Sequence, residues 1–266
     1  MSEINIWEIA MKKPILFGTE MVKAILEGRK TQTRRIIKPQ PVQPVPLGWV
    51  CYSTKKNEEG KFEWGKDIYG GITETVEPPY KTGDILYVRE TWSIHSMSNY
   101  EGKVKFMYKA RGDNGLEIRY VKDKRYDELL QWSFKKPWQP SIFMPKEAAR
   151  LFLKVKDIKV QRLNDISPRE AFNEGVSNII LESEHPLRNK AYERGEYDKK
   201  TGDLYAGTIE AFAALWDSIY DKQGFGWDTN PWVWVIEFER LENTTCYIGI
   251  DAAGKENRVK YRDKES

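Results

Sequence analysis

Residues 85–92 read Ile-Leu-Tyr-Val-Arg-Glu-Thr-Trp, a run of β-forming side chains preceded by the turn Lys81-Thr82-Gly83-Asp84. A chain holding such a strand must bury at least one of its faces, and the period of two decides which residues go in together. Leu86, Val88 and Glu90 share one face; Tyr87, Arg89 and Thr91 share the other. Further strands are expected at 14–17, at 36–37, at 103–110, at 151–163, where apolar and polar residues alternate from Leu153 on, and at 232–241. In the last of these Trp232 and Trp234 alternate with Val233 and Val235, so one set is expected inward and the other at least partly exposed, with core packing expected for the tryptophans. Helical signals are short. Thr19 is the expected N-cap of a helix that buries Met21, Val22, Ile25 and Leu26 and stops at Gly28. Ser167-Pro168-Arg169-Glu170 has the N-cap, Pro and Glu of a capping box, with Gly175 as the stop. Residues 207–220 form the longest expected helix, with Phe212, Leu215, Trp216 and Ile219 on one face. One helical turn is expected after Pro145, at 144–150.

Strands joined by turns and loops, with only short helices between them, favour an α+β fold: a small, mostly antiparallel β-barrel decorated with short helices and long insertions. One domain over 12–241 accommodates the chain of 266 residues, with insertions at about 40–80 and 182–206. The first insertion reads as a small hairpin or long loop, and 182–201 as a mobile charged loop. Residues 1–11 read as a leader and 251–266 as a flexible tail. With two cysteines, two histidines and no HExxH or CxxC pattern, no metal site or disulfide framework is expected, and no cofactor. No apolar run reaches membrane-spanning length, so a soluble, cytoplasmic protein without a membrane partner is expected. The formal net charge is only +3. An anion-binding site must therefore come from local clustering.

Such a cluster follows the first helix. Arg29, Lys30, Arg34, Arg35 and Lys38 fall within ten residues, interleaved with Thr31, Gln32 and Thr33. Cations so crowded repel one another unless an anion or carboxylates answer them, and a lysine among arginines loses its proton more easily. The bland alternative is a solvated turn and edge strand. Glu90, set among apolar neighbours, needs a cation such as Lys30 or Arg34, or else is the ordinary ion-pair partner of Arg89. Thr33 is either a reactive hydroxyl or a β-branched strand residue. Trp92 can stack a base, but a strand tryptophan is more often core. Asp84 reads as a turn former and His95 as a surface residue.

Four segments together carry a resemblance. Gly28-Arg29-Lys30-Thr31-Gln32-Thr33-Arg34 follows the first helix, and Gly83-Asp84-Ile85-Leu86-Tyr87-Val88-Arg89-Glu90 comes later. Pro140-Ser141-Ile142-Phe143-Met144-Pro145 and the stretch from Gly224 to Trp234 complete the set. In this order they resemble the ASCH domain, a branch of the PUA-like superfamily of small RNA-associated β-barrels, and within it the phage and prophage proteins. The resemblance implies RNA or a modified nucleoside as partner. One branch of the superfamily hydrolyses the acetyl amide of N4-acetylcytidine with a Lys, a Thr and a Glu, which by motif position are Lys30, Thr33 and Glu90 here. Another member is a metal-dependent ribonuclease, and a non-catalytic RNA-binding module is a third reading. In the hydrolase reading Lys30 takes the Thr33 proton, Thr33 attacks the carbonyl and Glu90 protonates the leaving amine. Alternatively Lys30 is a clamp and Glu90 activates water. Arg29, Arg34, Arg35 and Trp92 complete the candidate binding set. Both enzymatic versions expect Lys30 and Glu90 to line one pocket.

Overall fold

The computed structural model describes residues 13–42, 46–49, 60–66, 72–98, 103–110, 116–120, 123–133, 138–176, 207–241, 249–250 and 256–257. The expected leader, the 182–206 insertion and nearly all of the expected tail lie outside them. In chain order the elements begin with β1 (Lys13–Leu16), α1 (Thr19–Leu26), β2 (Gln32–Ile36), β3 (Pro46–Trp49), β4 (Phe62–Lys66) and β5 (Ile72–Val76). There follow β6 (Ile85–Arg89), β7 (Trp92–Ser98), β8 (Lys103–Tyr108), β9 (Leu116–Tyr120), α2 (Asp123–Ser133) and β10 (Phe152–Arg162). The last are α3 (Pro168–Asn173), α4 (Thr208–Tyr220), β11 (Trp232–Arg240), β12 (Gly249–Ile250) and β13 (Glu256–Asn257). The fold is mixed helix and sheet, as expected. The expected closed barrel is not: the described strands form open sheets.

Two compact units divide the chain. The first comprises Met1–Glu27, Asp84–Lys154 and Glu239–Ser266; the second comprises Gly28–Gly83 and Val155–Phe238. In the first unit β6 lies between β1, to which it is parallel, and the start of β10, to which it is antiparallel. Strands β7, β8 and β9 form an antiparallel sheet in which Trp92 faces Tyr108. Trp92, Val104, Phe106, Tyr108, Leu129 and Met144 are its buried core, and Leu129 comes from α2, a helix too polar to be read from periodicity. Helix α1 begins at Gly18 with no side-chain cap, so Thr19 is not the cap; its buried residues are Val22, Ala24 and Ile25. Of the short pair β12–β13, β13 falls within the expected tail, and β12 lies just before it.

In the second unit β11 lies between β10 and β2. Neither face of β11 is exposed, as was expected for one of them: both are covered, which explains its near-continuous apolar sequence. Val233 and Val235 pack with Phe212 and Trp216 of α4, and with Leu163 and Ile166. On the other face Trp234 stacks on Trp49 at 5.8 Å, and Trp232 meets Trp64 edge to face at 6.1 Å. The expected 40–80 insertion is thus built around a three-stranded antiparallel sheet, β3-β4-β5, rather than one hairpin. The alternation of β10 slips by one at Asp157: Leu153 and Val155 are buried, then Ile158, whose N–H donates to Asp157 Oδ1 at 2.8 Å.

Candidate functional site

The basic run closes the C-terminus of a short helix. Helix α3 starts as its sequence requires: the Ser167 side chain accepts from Glu170 N–H, the Glu170 carboxylate accepts from Ser167 N–H, and Pro168 takes the first position. A helix end leaves its last carbonyls without partners. Here every carbonyl from Glu170 to Gly175 has one. Glu174 N–H serves the Glu170 and Ala171 oxygens, and Gly175 N–H serves Phe172. The rest are answered from the segment after α1. Thr31 N–H donates to Asn173 O at 2.9 Å, Lys30 Nζ to Glu174 O at 2.7 Å and Arg29 Nη1 to Gly175 O at 2.9 Å. Gln32 Nε2 adds a bond to Glu170 O at 3.1 Å. Cations at the negative end of a helix dipole are favourable on their own account. Two left-handed glycines make the approach possible: Gly28 at φ +77° turns the chain after α1, and Gly175 at φ +89° ends α3.

At the centre is Glu174, buried to 3% exposure. Its Oε2 pairs with Lys30 Nζ at 3.0 Å and its Oε1 with Arg34 Nη1 at 3.1 Å. Arg34 Nη2 stands 3.4 Å from Glu170 Oε2, and its guanidinium lies 5.9 Å from the centre of the Phe212 ring. Lys30 and Arg34 are each only 2% exposed, so the solvated-turn alternative does not hold for them. Burial pushes the Lys30 ammonium below the ordinary lysine range; Glu174 opposes this, while Arg35 and Arg34 add to it. The crowding of arginines was the expected cause, but loss of water is the larger one.

Strand alternation sorts the remaining candidates. Gln32 and Arg34 both reach α3, which places Thr33 and Arg35 on the opposite face of β2. Thr33 is buried opposite Ile236 of β11, and Arg35 is half-buried opposite Trp234. Lys38 is exposed, with Nζ 5.2 Å from the Phe225 ring.

In the first unit the face assignment of β6 is correct: Leu86, Val88 and Glu90 are all at most 1% exposed. The partner of Glu90 is a different one from those expected. Arg150 grips it with both forks, Nε to Oε1 and Nη2 to Oε2, each at 2.8 Å, and stacks 4.2 Å from the Tyr108 ring centre. Glu90 thus belongs to the first unit with its own cation, as Lys30 belongs to the second with its own carboxylate. Arg89 turns its Nε to Met144 O at 2.8 Å. Trp92 is fully buried against Phe106 and Trp132, which is the core role favoured for a strand tryptophan and corrects its place in the candidate binding set. Asp84 follows its turn and pairs with Lys13 at 2.8 Å, and His95 is exposed.

Glu174 and Arg150 are the site residues that sequence reasoning missed. A carboxylate just before a helix-ending glycine opposes the helix dipole, and that is a readable signal that a cation awaits it. Among the described residues no three His, Cys, Asp or Glu side chains are grouped to hold a metal ion, and no helix is long and apolar enough to cross a membrane. No family model, curated protein or solved structure matches this chain.

Proposed function

We propose that this chain is an ASCH-type, PUA-like protein that binds RNA or a modified nucleoside, and that its recognition chemistry resides in the Lys30–Glu174–Arg34 cluster of the second unit. The observation that carries the reading is the burial of two cations from the motif that resembles the family signature, both held by one carboxylate. Burying charge is expensive, and donors fixed in a dry setting discriminate among ligands far better than the same groups in water. The test is titration of a short single-stranded RNA into the full chain across a salt series. Phosphate contacts make log affinity fall linearly with log salt concentration. No binding at any salt concentration overturns the proposal.

A second reading adds hydrolysis of an N4-acylated cytidine, and one observation favours it: a lysine whose pKa is lowered is a base available below the ordinary lysine range. In this reading Lys30, once neutral, takes the proton of the attacking group as the new C–O bond forms. It returns that proton to N4 as the amide C–N bond breaks, so that cytidine and the carboxylate leave. The resemblance names Thr33 as that group; the alternation of β2 favours a water instead. Glu90 is locked by Arg150 and is assigned no step. Incubation with N4-acetylcytidine should release cytidine, detected by chromatography, at a rate that rises with pH through the Lys30 titration and vanishes in Lys30→Arg. Absence of cytidine removes the hydrolytic reading and leaves the binding proposal standing.

A further inference from the structure

Two arginines of this protein meet a glutamate in the interior, and they do so with different edges. Arg150 presents Nε and Nη2, the side-on fork, to the two oxygens of Glu90. Arg34 meets Glu174 through Nη1 alone. Its own Nε and Nη2 are buried with no hydrogen-bond partner among the described residues. Glu170 Oε2, 3.4 Å from Nη2, forms an ion pair but no hydrogen bond with it. That carboxylate is not free to close in, because Oε2 already accepts from Ser167 N–H at 2.9 Å and Oγ at 3.0 Å in the capping box. A buried donor left unmade is costly, and a charged one more so; two on one edge of one guanidinium point to a missing acceptor pair.

We infer that the Nε–Nη2 edge of Arg34 is a recognition site for a planar heterocycle presenting two adjacent acceptors. The inference rests on the nucleoside-binding reading above and specifies which bases that site takes. A phosphate or carboxylate has the right spacing for the fork but the wrong charge, since it would sit against the pinned Glu170 carboxylate, with Glu174 on the same guanidinium. A neutral acceptor pair meets the same two donors without that repulsion. Among the common bases, cytosine offers O2 and N3, and guanine offers O6 and N7. Uracil sets an N–H between its two carbonyls, and adenine pairs each such acceptor with an amino donor, so both leave one Arg34 donor facing another donor. Arginine serves here where lysine cannot, because the fork needs two coplanar N–H groups. The edge is covered in the structure, with the Phe212 ring on the guanidinium, so binding requires that cover to move and association is slow.

The test compares CMP, GMP, UMP and AMP by isothermal titration against the full chain, so that the phosphate is constant and only the base edge varies. CMP or GMP should bind at least about tenfold tighter than UMP and AMP. Arg34→Lys should abolish that preference. Equal affinity for all four, or a preference that survives in Arg34→Lys, overturns the inference while leaving nucleotide binding intact. No binding of any nucleotide overturns both. Should Arg34→Lys fail to fold by circular dichroism, the wild-type Arg34 Nε–H resonance decides. It shifts on addition of CMP or GMP and not of UMP if the edge is the site; a signal that none of the nucleotides moves refutes it.

Discussion

Glu174→Gln tests the physical core of the site. The substitution keeps the side-chain shape and one acceptor oxygen but removes the charge that Lys30 and Arg34 share at 3.0 and 3.1 Å. Removing one partner of a buried ion pair costs about 3–5 kcal/mol, because the other charge stays buried and uncompensated. The retained amide oxygen returns about 1 kcal/mol through a hydrogen bond to Arg34, so a deficit of about 2–4 kcal/mol is expected at pH 7. The deficit also carries a pH signature. That signature comes from Lys30, which can lose its charge. The folded Lys30 pKa already lies below the 10.5 of an exposed lysine, and without Glu174, which raises it, it falls further. Between the folded and unfolded values the unfolded chain holds the extra proton, so stability rises with pH there, by up to about 1.4 kcal/mol per unit. That window opens at lower pH in the variant. Its deficit therefore shrinks as pH rises from the variant's Lys30 pKa to the wild type's, and above that the two curves run parallel. Urea unfolding followed by tryptophan fluorescence at several pH values measures both quantities. A deficit below about 1 kcal/mol that does not change with pH would refute the claim that Glu174 is a dry counter-ion to Lys30.

Arg150→Met leaves Glu90 buried without its fork and should cost about 3–5 kcal/mol, while adding Glu90→Gln should recover part of that loss in a double-mutant unfolding cycle. Gly28→Ala should cost about 1 kcal/mol through backbone strain alone, since φ is +77° and an added Cβ would meet nothing within 4 Å; a neutral effect in urea titration would contradict the assigned turn. Trp92→Phe should shift the unfolding midpoint yet leave RNA affinity unchanged, because the indole is fully buried; a fall in affinity at unchanged stability would return Trp92 to the binding surface.

The parts of this fold that were legible in the sequence are those governed by local rules. The faces of β6 and the capping box of α3 each follow from residues a few positions apart, whereas the burial of both faces of β11 does not, because its alternation implied one partly exposed face. Strand β2 was not legible over its full length. Gln32-Thr33-Arg34-Arg35-Ile36 has no apolar alternation, and its first three residues are nonetheless buried. What makes burial tolerable is supplied from far along the chain: Glu174 stands 140 residues from Arg34 and 144 from Lys30. The Glu90–Arg150 pair spans 60 residues in the same way. Sequence reasoning correctly demanded a partner for each of these charges; only the fold could choose it. Helix α2 was missed for the opposite reason, having few apolar residues to display a period, although Leu129 anchors it in the core.

The geometry also determines which experiments can separate structure from function in the second unit. Arg29, Lys30 and Gln32 donate to carbonyls at the end of α3, so each is a structural clamp whatever else it does. Substituting Lys30 therefore removes a helix cap and a counter-charge to Glu174 together with any chemistry, and loss of activity in such a variant reports on all three at once. Arg34 differs, because one donor atom holds Glu174 while the Nε–Nη2 edge makes no hydrogen bond among the described residues. A lysine at that position can still neutralise Glu174 but cannot present a fork. Arg34→Lys thus alters recognition with the least change to the ionic core, and it is the substitution in which a fall in nucleotide affinity at near-native stability can be assigned to the site rather than to the fold.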